Sequence, residues 1–63
     1  MCEANAYLMK EKEPALIMES VDRIEPEEDG ICIVNIFGEQ KLIKGFIHSV
    51  SLVDHKIFIQ ENA

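Results

Sequence analysis

Apolar and polar residues alternate over short stretches of the chain, beginning at its amino terminus. In the first stretch, small or apolar side chains alternate with polar or larger ones: Ala4, Asn5, Ala6, Tyr7, Leu8 and Met9. A period of two is the pattern of a β-strand with two different faces. Cys2 falls on the same face as Ala4. The pattern therefore predicts a first strand that holds Cys2 in a fixed place, which a frayed terminus would not do.

Further stretches have the composition of short strands and are separated by turns: 15–18, 21–25, 31–37, 40–44, 46–53 and 56–60. Segment 21–25 is either a third strand or a continuation of the second strand through a bulge. Pro26 argues against a central strand beyond it. Asp29-Gly30 favours a tight hairpin turn with a positive φ. The pattern predicts an all-β fold, a small barrel or sandwich of about six or seven short antiparallel strands.

Three further residues have side chains that can carry chemistry, and each has a simpler structural role. Cys32 lies among isoleucines in an apolar, central strand and is expected to be a buried small hydrophobe. In strict alternation His48 shares a face with Phe46 and Val50, which predicts a partly buried imidazole with a hydrogen-bond partner. His55 follows Asp54 in a predicted turn and is expected to be exposed or locally hydrogen-bonded.

The length of 63 residues allows one domain, residues 1–63. So short a chain buries only about 60% of its unfolded surface and is marginally stable without reinforcement. Two cysteines give little scope for disulfides, and no zinc-finger spacing is present. Symmetric self-association is the simplest reinforcement that remains, and we expect a homodimer.

Acidic residues outnumber basic ones by 12 to 6, which gives a net charge of −6. The cations are scattered singly, so the chain lacks the basic stripe that neutralises phosphates in nucleic-acid binding. It also lacks the run of roughly 20 apolar residues of a membrane span, and no signal peptide is evident. These features predict a cytoplasmic protein that binds neither nucleic acid nor membranes. Free thiols are the default in that reducing compartment.

Cys2 offers an unusual set of metal donors. If Met1 is removed, the amine and thiolate of Cys2 and the amide nitrogen of Glu3 can form five-membered chelate rings on one cation. Planar nitrogen and thiolate donors favour Ni(II) or Cu(II), whereas tetrahedral thiolate sites favour zinc. One chain offers too few donors, so a two-fold dimer would complete the site. On this chemistry alone a terminal cysteine without a role is the commoner outcome, and a retained Met1 would turn the amine into an amide.

Enzymatic motifs are absent from the sequence. It contains no glycine-rich phosphate loop, no serine in a nucleophile elbow and no HExxH pair. A β-module of this size also has little room for a substrate pocket of the usual volume. A binding protein is therefore expected rather than an enzyme.

The chain resembles the CooT family in its length, its Met-Cys beginning, and its ending. The ending runs Val50-Ser51-Leu52-Val53-Asp54-His55-Lys56-Ile57, followed by Phe58-Ile59-Gln60-Glu61. Gly30 before the central strand and Gly45 before the penultimate one also match. CooT proteins are small nickel-binding accessory proteins associated with the maturation of nickel-containing carbon monoxide dehydrogenase.

The resemblance implies an SH3-like β-barrel that forms homodimers and binds Ni(II) at the dimer interface. The ligands implied are Cys2 of each chain and neighbouring main-chain nitrogen, to which Glu3 contributes at most its backbone. Carbon monoxide dehydrogenase is the implied enzyme partner, and the chain would act as a nickel carrier or sensor. Two alternatives stay open, a small β-barrel that binds RNA and a protein-interaction module without a metal.

Overall fold

A computed structural model describes residues 4–62. Six strands follow one another: β1 (Ala4–Leu8), β2 (Ala15–Glu27), β3 (Gly30–Asn35), β4 (Gln40–Ile43), β5 (Gly45–Ser51) and β6 (Lys56–Glu61). They form one sheet in the order β4-β3-β2-β1-β6-β5. The all-β prediction is confirmed. Residues 4–62 include no helix that is long and apolar enough to span a membrane.

The sheet is open rather than closed. Its edges are β4 and β5, and among residues 4–62 no strand ladder joins them. Lys44 alone separates β4 from β5, so the chain itself passes from one edge to the other. The Cα radius of gyration is 10.9 Å, close to the roughly 11 Å of a compact chain of this length, so the open sheet must curve around its core. The predicted closed barrel is therefore wrong, and the SH3-like fold stays a prediction.

The pairing of β1 with β6 is parallel, with Asn5 opposite Lys56 and Leu8 opposite Ile59. The remaining pairs of neighbouring strands are antiparallel. The prediction of a wholly antiparallel sheet is therefore wrong. Two parallel neighbours need a long connection. β1 is the first strand and β6 the last, so the four strands between them supply that connection.

Segment 15–27 is one strand with an irregularity, the second of the two predicted alternatives. Ser20 has a φ of 57°, and the pairing with both neighbouring strands shifts register near it. The Ser20 N–H donates to Asn5 Oδ1 at 3.2 Å, and the Ser20 carbonyl accepts from Ile36 N at 3.0 Å. Pro26 lies beyond the part of β2 that pairs with β1, where a missing N–H leaves no gap in that ladder.

The core is formed by one face of the sheet. Its buried side chains come from every strand except β5: Ala6, Leu8, Met18, Val21, Ile31, Ile33, Ile43, Ile57 and Ile59. Ala6, Ile33 and Ile59 have no exposed surface. The β1 positions Ala4, Ala6 and Leu8 therefore face the core, as the alternation predicts, and their small side chains are packed within the chain.

Gly30 and Gly45 are required for close approach of backbones. A Cβ at Gly45 would collide with the backbone of Gln60, and a Cβ at Gly30 with that of Ile43. Neither glycine has a positive φ; among residues 4–62 that conformation occurs at Ser20, Gly38 and His55. The expected positive φ at Asp29-Gly30 is therefore wrong. The two-residue hairpin loop itself is confirmed, because Glu27 pairs with Gly30.

Asn35 ends β3 two residues earlier than expected. Its Oδ1 accepts from Phe37 N at 3.0 Å and from Glu39 N at 2.9 Å, and its Nδ2 donates to Glu39 Oε1 at 2.7 Å. The side chain is almost fully buried, which strengthens such bonds because water is excluded. One amide side chain thus determines the conformation of the loop between β3 and β4.

We expect Gly45→Ala to lower the free energy of unfolding by about 3 kcal/mol, the upper range for overpacking, because the obstructing atoms are backbone. Urea denaturation measures this change. Gly38→Asn is the control, since Gly38 has φ 85° and open space around it. Asparagine tolerates this conformation, so the control should stay within about 0.5 kcal/mol of the parent. Equal effects of the two substitutions would contradict the packing account.

We expect Asn35→Ala to cost about 1–2 kcal/mol, because two loop N–H groups lose their acceptor. Chemical denaturation followed by circular dichroism measures the loss. Glu39→Gln retains an oxygen acceptor at the same place and serves as the matched control. A Glu39→Gln cost as large as that of Asn35→Ala would assign the loop's stability to the carboxylate instead.

Candidate metal centre

The two predicted ligand residues, Cys2 and Glu3, lie outside the described residues. The structure instead describes the position from which they extend, the start of β1 at Ala4. Ala4 is paired with Val21 of β2. The next residue, Asn5, is paired with Lys56 of β6. The strand that follows Cys2 thus has a neighbour on each side from its first described residues.

Asn5 fixes this position through both its main chain and its side chain. Its N–H donates to the His55 carbonyl at 2.9 Å. Its Oδ1 accepts from Ser20 N at 3.2 Å, which satisfies the backbone of the irregular residue in β2. Because hydrogen bonds to the 52–55 turn and to β2 hold Asn5, the backbone three residues after Cys2 has one defined place in the sheet.

The turn at residues 52–55 lies at this same end of the sheet. The Ser51 hydroxyl donates to Asp54 Oδ2 at 3.2 Å and accepts from Asp54 N at 3.4 Å. His55 then adopts a φ of 56°, which turns the chain into β6. Leu52 and Val53 are 82% and 89% exposed. The turn thus has an exposed apolar tip, and its last residue contacts β1 at Asn5.

His55 is exposed, as the sequence predicts. It contacts β1 through its main chain, because its carbonyl accepts a hydrogen bond from the Asn5 N–H. Sequence reasoning missed this connection, because it depends on the parallel pairing of the first strand with the last.

His48 lies at a register shift in β5, between Ile47 and Ser49. The shift places Ile47 opposite Ile59 and Val50 opposite Ile57, so Ile47 and Val50 share the core side. The predicted faces, with His48 beside Phe46 and Val50, are therefore wrong. His48 is exposed rather than partly buried, and its Nδ1 lies 3.2 Å from Ser49 Oγ.

Cys32 is a free thiol of intermediate exposure. It pairs with Glu25 of β2 and Leu42 of β4, on the side of β3 away from Ile31 and Ile33. The expectation of full burial is wrong, since this face of the sheet is only partly covered. Within residues 4–62 no three His, Cys, Asp or Glu side chains are grouped closely enough to hold a metal ion.

An aromatic pair lies on the outer face of β1 and β6. The rings of Tyr7 and Phe58 stack with centroids 5.6 Å apart, and Lys56 Nζ lies 5.6 Å from the Tyr7 centroid. This arrangement places a lysine beside two stacked aromatic rings, and aromatic rings are surfaces on which nucleic-acid bases can stack. One such cluster on a chain of net charge −6 still lacks the basic groove that nucleic-acid binding needs.

The family model of the CO dehydrogenase accessory protein CooT matches residues 1–60. The chain belongs to the CooT family. Its match includes Cys2 and Glu3 and all of β1 to β5. The family description is that of a protein accessory to an enzyme.

Individual CooT-like relatives cover nearly the whole chain. A protein described as a candidate CooT from Carboxydothermus hydrogenoformans has a crystal structure with a TM-score of 0.91 and 39% identity, covering 98% of this chain and all of that one. The uncharacterized protein MJ1551 of Methanocaldococcus jannaschii is 35% identical over 60 residues, which are 95% of this chain and 98% of that protein. An uncharacterized protein of Methanothermobacter thermautotrophicus is 38% identical over 60 residues, 95% of this chain and 89% of that protein.

Proposed function

We propose that this CooT-family chain binds Ni(II) as a homodimer, through the Cys2 thiolate of each subunit and adjacent main-chain nitrogen. The ion is the cargo of a carrier, or the signal of a sensor, that serves carbon monoxide dehydrogenase in the cytoplasm. The chain itself performs no catalysis. Glu3 contributes its backbone nitrogen and no side-chain ligand.

The fixed start of β1 is the observation that carries this proposal. Bonds from Asn5 to His55 of the 52–55 turn and to Ser20 of β2 hold the backbone at a point three residues after Cys2. Three residues span at most about 10 Å, so an ion bound by Cys2 would have to lie close to the part of the sheet that holds Asn5. A confined thiolate loses less conformational freedom on binding than one on a free tail.

The chemistry of the remaining donors also supports Cys2. Cys32 points away from the core face in mid-sheet, and His48 and His55 belong to the edge strand and the turn. Since residues 4–62 offer no grouped ligand set, a metal ion needs either the terminal donors or a second chain. Pairing two copies of the Cys2 donors supplies both.

A nickel titration followed by ultraviolet–visible absorption tests the proposal, using protein with its native amino terminus. We expect thiolate-to-nickel charge-transfer bands that saturate at one ion per two chains. Cys2→Ser should remove these bands and leave the circular dichroism spectrum unchanged, because Cys2 precedes the described core. Affinity should fall as the pH is lowered, since a thiol must release its proton to bind.

Two control variants separate the Cys2 site from other donors. Cys32→Ser makes the same substitution at the second thiol. His55→Asn removes the imidazole of the 52–55 turn, and asparagine tolerates the positive φ at that position. Both variants should retain the bands. Bands that survive Cys2→Ser but disappear in either control would place the metal elsewhere. An unchanged titration in all three variants would refute a cysteine-based site.

A further inference from the structure

Strand β5 has an edge that is open and uncharged. It pairs with β6 on one side and, among residues 4–62, with no strand on the other. Residues 45–53 contain no Asp, Glu, Lys or Arg, although 29% of the chain is charged. Edge strands are usually protected from pairing by charges, prolines or bulges. Apart from the register shift at His48, β5 has none of these protections.

The side chains of β5 also lack a covering layer. Ile47 and Val50 face the core side opposite Ile59 and Ile57, yet they are 42% and 49% exposed. Phe46, on the outer side, is 52% exposed. A strand added at this edge would cover apolar surface on both faces while pairing its backbone with β5.

The charge around the start of β5 indicates which kind of strand fits. An open cleft of about 700 Å³ lies there, between Phe46 of β5 and the β2–β3 hairpin. Three acidic residues, Glu27, Glu28 and Asp29, line it, and Lys44 is the one basic residue in the lining. A basic residue at the corresponding end of an added strand would meet this negative charge.

We propose that β5 is the docking edge for an extended segment of another protein, which adds to the sheet as a seventh strand. The segment carries alternating apolar side chains, and it runs antiparallel to β5, the commoner arrangement. Its carboxyl-terminal end then lies beside Gly45 and bears lysine or arginine. The acidic cleft lies at the Gly45 end of β5, whereas the Ser51 end leads into the 52–55 turn beside the start of β1. A client anchored in the cleft would therefore leave Cys2 free.

A second copy of the chain is a poorer occupant of this edge. This comparison rests on the proposed function, in which two chains share one nickel ion. Two β5 strands paired about a two-fold axis would be antiparallel and would separate the two β1 strands by five strand spacings, about 24 Å. The two β1 starts would also lie at opposite ends of the joined sheet. Segments of three residues, each at most about 10 Å long, could not then bring two Cys2 thiolates to one ion.

Fluorescence anisotropy with two labelled peptides tests the proposal. Each alternates threonine and valine over seven residues, and one ends in two lysines whereas the other ends in two glutamates. We expect the lysine peptide to bind more tightly than the glutamate peptide. In ¹⁵N spectra of the protein, the amide signals that shift when the lysine peptide is added should belong mainly to residues 27–30 and 45–51. Nickel and Cys2→Ser should leave this binding unchanged, which separates its failure from failure of the metal site.

Paired variants test the edge and the charge independently. Val50→Lys places a charge on the edge and should abolish binding of both peptides, whereas Val53→Lys in the neighbouring turn should not. The double variant Glu27→Gln/Glu28→Gln should weaken lysine-peptide binding roughly threefold to tenfold, as expected of two exposed ion pairs. Glu11→Gln/Glu13→Gln makes the same change in net charge elsewhere and should have little effect.

Three results would overturn the proposal. The first is that neither peptide binds the folded parent protein, and the second is that both control variants weaken binding as much as the edge variants do. The third is a sedimentation experiment in which Val50→Lys converts a dimeric parent into monomers, because that would assign the β5 edge to a second copy of the chain.

Discussion

The position of β1 between β2 and β6 is the constraint on which the rest of the structure depends. Without β1, the strands β2, β3 and β4 would form one antiparallel unit and β5 with β6 another, joined by Lys44. The Asn5 N–H bond to the His55 carbonyl begins the ladder that unites them. Ala6, fully buried at the centre of that strand, lets the two halves share one core. Residues 4–8 therefore complete the sheet, although segments so close to a terminus are poorly ordered in many small domains.

This arrangement couples the amino terminus to the whole fold. A chain of 63 residues has a small reserve of stability, so any ligand that binds only the folded form stabilises it by mass action. The strand that follows Cys2 and Glu3 takes its place between β2 and β6 only when the sheet is formed. In the proposed dimer, metal binding, assembly and folding would thus support one another. The β5 edge, which lies two strands away from β1, is available for a different contact.

The strands could be predicted from the sequence, whereas their faces and partners could not. Period-two alternation located β1 and β6 correctly, but a single inserted residue reverses every later side chain in a strand. That is why Val50 was assigned to the wrong face, one register shift after Ile47. The parallel pairing of Asn5 with Lys56 joins positions far apart in the chain, and local patterns contain no information about such contacts.

Gly30 and Gly45 were noted, but their role as sites of backbone contact became clear only from the packing. At the candidate site, Cys2 was suggested by the chemistry of its donors and by the family resemblance. The contact of Asn5 with His55 of the 52–55 turn could not be deduced from either.

The central claim is that two chains share one nickel ion through their Cys2 residues. Native mass spectrometry of the nickel-loaded protein tests this claim most directly, because it reports subunit number and metal content together. The account predicts that nickel is found on dimers, at one ion per dimer, and that any monomers carry no nickel. It also predicts that the Cys2→Ser protein retains no nickel. Nickel bound to the monomer at one ion per chain, or retained equally by Cys2→Ser, would contradict it.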